Sequence, residues 1–185
     1  MPLITINNVR ISYPTLFKPK QINGQGDPKY SAAFLIEPTN PKLRELVAMA
    51  KQAVAEAYPK GTPPNFKTLP LYKGSEKYPG DSRYAEVYIL NTSNKNRPRV
   101  VDQRKEIILD PEAVYPGMVV NVGLSVYVYG QRPGSPAKGV TTGLEGVQIV
   151  RDGERLDSRP AVDDLFEPLD VIDAPAEDAG LFEDF

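Results

Sequence analysis

Residues 121–130 read NVGLSVYVYG, and the alternation in this stretch sets the class of architecture. Successive side chains of a strand point to opposite faces. Val122, Leu124, Val126 and Val128 therefore share one face, and Ser125, Tyr127 and Tyr129 share the other. One face is aliphatic and suits a core. The other carries aromatic rings with polar tips, which suits a surface that meets water or a ligand.

Working outward, several other segments read the same way. YAEVYIL (84–90) predicts a strand with Ala85, Val87 and Ile89 on one face and Tyr84, Glu86 and Tyr88 on the other. ITINNVRISY (4–13) alternates, slips by one residue at Asn7 and Asn8, and resumes at Val9, the mark of a bulge. KYSAAFLIE (29–37) follows the turn NGQGDP and places Tyr30, Ala32, Phe34 and Ile36 together. A short strand is expected around Arg99–Asp102, and a closing strand after Gly139 with Val147 and Ile149 inward. One segment breaks the pattern. NPKLRELVAMAKQAVAEAY (40–58) has Asn40 as N-cap, Pro41 at the first helical position, and apolar residues at helical spacing. Residues 59–83, rich in proline and lysine, show no period and read as a long loop. The fold expected is mainly β with one inserted helix: about six strands curled into an OB-fold-like, closed or partly open β-barrel.

The chain has 185 residues, enough for one domain with a core, and its 19 prolines and 14 glycines agree with a loop-rich β fold. Its net charge of -2 conceals an asymmetry. All 22 basic residues precede Pro160, against 15 acidic ones, whereas residues 160–185 hold nine acidic residues and no basic one. This divides the chain into a basic body, residues 1–159, and an acidic tail, residues 160–185, expected to be disordered. A basic body points to a polyanionic partner. A tethered polyanion can compete for the same groove. Within the tail Asp178, Phe182, Glu183, Asp184 and Phe185 form an acidic segment with aromatic anchors, and partner proteins are expected to dock there.

Basic and aromatic residues coincide in mid-chain: Tyr72, Lys73, Lys77, Tyr78, Arg83, Tyr84, Tyr88, Arg97, Arg99, Arg104 and Lys105, with Tyr127 and Tyr129 on the later strand. Single-stranded nucleic acid requires this pairing, cations for phosphates and flat rings for unstacked bases. All ten tyrosines lie in the basic body.

With no Cys and no His, the chain lacks disulfides, Cys/His metal sites, Cys nucleophiles and histidine acid–base catalysis. No phosphate-cradling Gly-rich loop is present; GSP and GLEG have no base nearby, and no cofactor or metal is expected. Residues 1–13 lack the features of a signal peptide, and no apolar run approaches the roughly 20 residues of a membrane helix. Two alternatives to nucleic-acid binding are a self-assembling structural or interaction protein and, less in keeping with the residues, a nuclease using Asp102 or Asp110 with Mg²⁺. An RNA or duplex binder shares the same groove chemistry.

The blocks NVRISYPTLFKPK (8–20), GDPKYSAAFLI (26–36), RPRVVD (97–102), VYPGMVVNVGLSVYVYG (114–130) and KGVTTGLEGVQIVRDGE (138–154) resemble bacteriophage single-stranded DNA-binding proteins, in order, over nearly all of residues 1–157. The resemblance implies an OB-fold barrel that coats single-stranded DNA in phage replication, recombination and repair, in the cytoplasm of the infected host, with no reaction catalysed. In plan the chain is also similar to podovirus replication proteins. That similarity implies that the EDF ending at Phe185 contacts a polymerase or helicase-primase; a homodimer is compatible with it.

Overall fold

A computed structural model of the chain describes residues 1–22, 24–157 and 165–169. The boundary expected at 159/160 and the tail residues Asp178, Phe182, Glu183, Asp184 and Phe185 lie outside them.

The aliphatic face of residues 119–129 is buried as expected: Val120, Val122, Leu124 and Val126 are wholly inaccessible. In chain order the strands are β1 (Leu3–Ile22), β2 (Gln25–Ile36), β3 (Leu71–Lys73), β4 (Tyr88–Asn94), β5 (Arg99–Val101), β6 (Val119–Tyr129) and β7 (Gly139–Arg151). A helix α1 (Pro41–Ala57) follows β2, and a single turn α2 (Gly74–Lys77) follows β3. None of the described helices is long and apolar enough to cross a membrane.

Five strands close on themselves in the order β1-β2-β4-β7-β6. The pairs β1/β2, β2/β4, β1/β6 and β6/β7 are antiparallel, and β4 meets β7 in parallel at Ser93 and Gly143. This is the strand order of an OB-like barrel. β5 extends the line of β4 along β7, pairing Arg99, Val100 and Val101 with Gly146, Val147 and Gln148. The barrel is filled by inward residues of every strand, among them Ile6, Phe34, Leu90, Val122 and Leu144.

Local chemistry explains the elements. The slip at Asn7–Asn8 is a real bulge. Register shifts between Ile6 and Val9, Asn8 adopts φ 57°, and its N–H donates to the Asn121 side chain at 3.0 Å. Asn40 caps α1 by accepting from the Lys42 amide at 3.0 Å, with Pro41 first in the helix. Leu43, Leu46 and Ala50 then bury against β1, β6 and β7, so α1 stoppers the barrel.

Three expectations are corrected. The 59–83 segment contains β3 and α2, which take their hydrogen bonds from β4 and the chain just before it: Leu71, Tyr72 and Lys73 pair with Leu90, Ile89 and Tyr88, and the Gly74 amide donates to Val87. The strand expected over 84–90 begins only at Tyr88. Tyr84 sits in the preceding turns, buried with Ala33, Leu35, Ile89 and Leu156 in a second small core on the outer face of β2 and β4. The strands number seven rather than six, because β3 escaped a reading based on period; three residues are too few to display one.

Candidate nucleic-acid interface

The outward face of β6 carries Tyr127 and Tyr129, both half-buried. The β3–β4 pairing brings Tyr72 to the same end of the barrel, where Tyr72 and Tyr129 line one depression with Phe66, Lys67 and Thr141. Lys67 is locked there, its amide donating to Lys138 and its carbonyl accepting from Val140. α2 then doubles back, so that the Lys77 ammonium lies 4.6 Å from the centre of the Tyr72 ring, a cation–π contact. Burial lowers the Lys77 pKa. It raises that of Tyr129, with smaller contributions from Tyr127 and Tyr72. Half-buried rings with a cation over one of them form a platform on which a base can stack.

From Tyr129 back to Asn121 the outer face of β6 runs eight residues, roughly 26 Å at the strand rise. It ends in an open groove of about 970 Å³ whose walls include Arg97, Arg99 and Lys105. β5 places Arg99 opposite Gly146. The Arg97 guanidinium stands 5.3 Å from the Phe17 ring. Lys105, at φ 67°, lies in a tight turn tied by Asp102, whose Oδ1 accepts from the Arg104 and Glu106 amides at 2.8 and 2.9 Å. Arg104 is exposed in that turn, and Ile107 and Leu109 project from the chain leaving it.

Of the thirteen residues expected in the interface, Tyr72, Lys77, Tyr127 and Tyr129 come together at one end, and Arg97, Arg99 and Lys105 at the other; Lys73 and Arg104 are exposed beside them. Four are used elsewhere. Tyr84 is only 4% exposed. Tyr88 packs against the barrel core. The Tyr78 ring lies 4.6 Å from that of Tyr84 against the second core. Arg83 is clamped: Nε and Nη2 donate to the two Asp81 carboxylate oxygens at 3.0 and 2.8 Å, and Nη1 donates to the Leu156 carbonyl at 2.6 Å. The bonds to Arg83 hold the Asp81 carboxyl below its usual range. Arg83 thus straps the chain after β7 onto the outer face.

Other cations were missed. Lys18 and Lys20 are exposed on the β1–β2 hairpin, and Lys95 pairs with Asp27 of that hairpin at 3.2 Å. The signal available was the hairpin itself, since loops joining OB strands commonly contact oligonucleotides. Asp102 and Asp110, the carboxylates of the nuclease reading, each cap a local turn, Asp110 accepting from the Glu112 amide at 2.9 Å.

A closed barrel of this strand order, with tyrosines and cations on its outer surface, belongs to the OB-like class. Among solved structures it is similar to the single-stranded DNA-binding protein of bacteriophage Enc34 in complex with ssDNA (TM-score 0.69, 21% identity, 84% of this chain and 89% of that one). It is also similar to gp2.5, a single-stranded DNA-binding protein encoded by bacteriophage T7 (TM-score 0.56, 17% identity, 87% and 98%). The protein named p50 of Acyrthosiphon pisum secondary endosymbiont phage 1 is 34% identical over 164 residues, 82% of this chain and 84% of its own length. The family described as Enterobacter phage Enc34, ssDNA-binding protein, matches residues 2–179, and the chain belongs to that family.

Proposed function

We propose that the protein binds single-stranded DNA with little regard to sequence, laying the strand along the outer face of β6 and β7 from the Tyr72–Tyr127–Tyr129 platform to the Arg97–Arg99–Lys105 groove. The observation that carries this reading is the joining of ring-bearing and cation-bearing surfaces along one strand ladder. Family membership supports it. The work is binding, not catalysis, and its setting is phage DNA replication, recombination and repair in the cytoplasm of the infected host. Residues 160–185, with nine acidic and no basic residues, act as an internal competitor for the groove and recruit replication proteins, such as polymerase or helicase-primase, through Asp178, Phe182, Glu183, Asp184 and Phe185.

The test is a titration of oligonucleotides at several salt concentrations, with single-stranded DNA, duplex DNA and RNA in competition. Affinity should fall steeply with salt, and single-stranded DNA should win. Affinity unchanged between about 50 and 200 mM salt would sink the electrostatic part. Deleting residues 160–185 should tighten DNA binding and abolish partner capture; a truncated protein that binds no more tightly removes the competitor model.

A further inference from the structure

The groove beside β5 contains a residue that phosphate binding does not want. Glu145, the acid of the GLEG segment 143–146, lines the same depression as Arg97, Arg99 and Lys105 and is exposed there. It forms none of the ion pairs among the described residues. The carboxylate is held in place. The Ser125 hydroxyl, 1% exposed, donates to Glu145 Oε1 at 2.8 Å. Gly143 makes that bond possible, because a Cβ there would lie 2.5 Å from Ser125 Oγ and 3.3 Å from Glu145 Oε1. Beside it Gly146 faces Gly123 across the β6–β7 ladder, and a Cβ at Gly123 would meet nothing closer than 3.9 Å, so the floor is bare backbone.

A carboxylate repels phosphate, so its place in a polyanion groove must be offset by a contact to a hydrogen-bond donor. On a DNA strand the donors are on base edges. A carboxylate matches guanine best, whose N1–H and N2–H₂ point the same way and can meet both oxygens. Cytosine and adenine offer one amine beside an acceptor, and thymine one N–H between two carbonyls. Oε1 can accept from Ser125 and still take a base donor, since an ionised carboxylate offers about four lone-pair sites. We infer that Glu145, positioned by Ser125 over the Gly123–Gly146 floor, is a base-reading residue that favours guanine and disfavours thymine at one position of the bound strand. The inference rests on the proposed DNA binding and adds one selective position to an otherwise tolerant path.

The test uses the full chain and a thymidine oligonucleotide of about 16 nucleotides, the upper end of an OB footprint, against versions carrying one central dG or one deoxyinosine, which lacks the N2 amine. The dG oligonucleotide should bind about fivefold or more tightly than the all-thymidine one. Inosine should lose most of that gain, and Glu145→Gln, an exposed substitution that leaves the fold intact by thermal unfolding, should abolish it. A dG preference that survives in Glu145→Gln overturns the assignment. So does a variant that tightens binding to all three oligonucleotides equally, because Glu145 would then be an electrostatic brake only. If the unaltered protein binds none of them, the single-stranded DNA reading falls, and this inference with it.

Discussion

At the scale of single residues, identical side chains in this protein have opposite jobs. Tyr72 is 45% exposed under the Lys77 ammonium, whereas Tyr84 is sealed beneath Leu156 and Ile89. Replacing Tyr72 or Tyr127 with Ala should weaken single-stranded DNA binding by about 1–3 kcal/mol each and leave the urea midpoint nearly unchanged. Replacing Tyr84 with Ala should do the reverse, costing about 3–5 kcal/mol of stability for an emptied aromatic site while the folded fraction keeps its affinity. Anisotropy titration beside chemical denaturation separates the two. The sequence shows both tyrosines near lysine and arginine, Tyr72 in a stretch without period and Tyr84 at the start of an expected strand. It cannot show that Tyr84 is buried on the outer face of the barrel, because the residues that cover it come from β2, β4 and the chain after β7, up to 72 positions away.

At the scale of elements, legibility follows length and period. β6, β7 and α1 announce themselves because each repeats its pattern several times, and α1 has its cap and proline in addition. Asn40→Ala should cost about 1 kcal/mol by removing that cap, read as a lower denaturation midpoint with DNA affinity intact. β3 and α2 are illegible for the converse reason: they are a few residues each and depend on β4 and Val87 for partners. The strap 152–157 is also tertiary in origin. Arg10 donates to the Gly117 and Glu154 carbonyls, Leu156 donates to Pro116, and Arg83 grips Leu156 from the other side. Gly117→Ala should therefore loosen this strap, since Gly117 holds φ 102° and a Cβ there would collide with the Glu154 carbonyl. The effect should appear as faster proteolysis around residues 152–157 before any loss of barrel structure.

At the scale of the whole molecule, charge and titration make the predictions. Each of Lys77→Ala, Arg97→Ala, Arg99→Ala and Lys105→Ala that removes one phosphate contact should reduce the slope of log affinity against log salt by about 0.7. On the alkaline side, burial raises the pKa of Tyr78, Tyr115 and Tyr129 above the ordinary phenol value of 10.0. The unfolded chain then releases those protons first, so the stability these phenols contribute is complete below about pH 10 and is lost as pH rises through their folded values. Denaturation midpoints taken from pH 8 to 11 should decline in the upper part of that window. Patterning alone determined the long half-buried strands β1, β2, β6 and β7, the bulge at Asn7–Asn8, the capped helix and the segregation of a basic body from an acidic tail, because each is a local or additive property of the chain. Only the tertiary structure decided that β4 closes the barrel on β7, which tyrosines face outward, that Arg83 is a clamp, and that Glu145 stands among cations. Those are relations between residues far apart in sequence, created when the sheet curls back and meets itself.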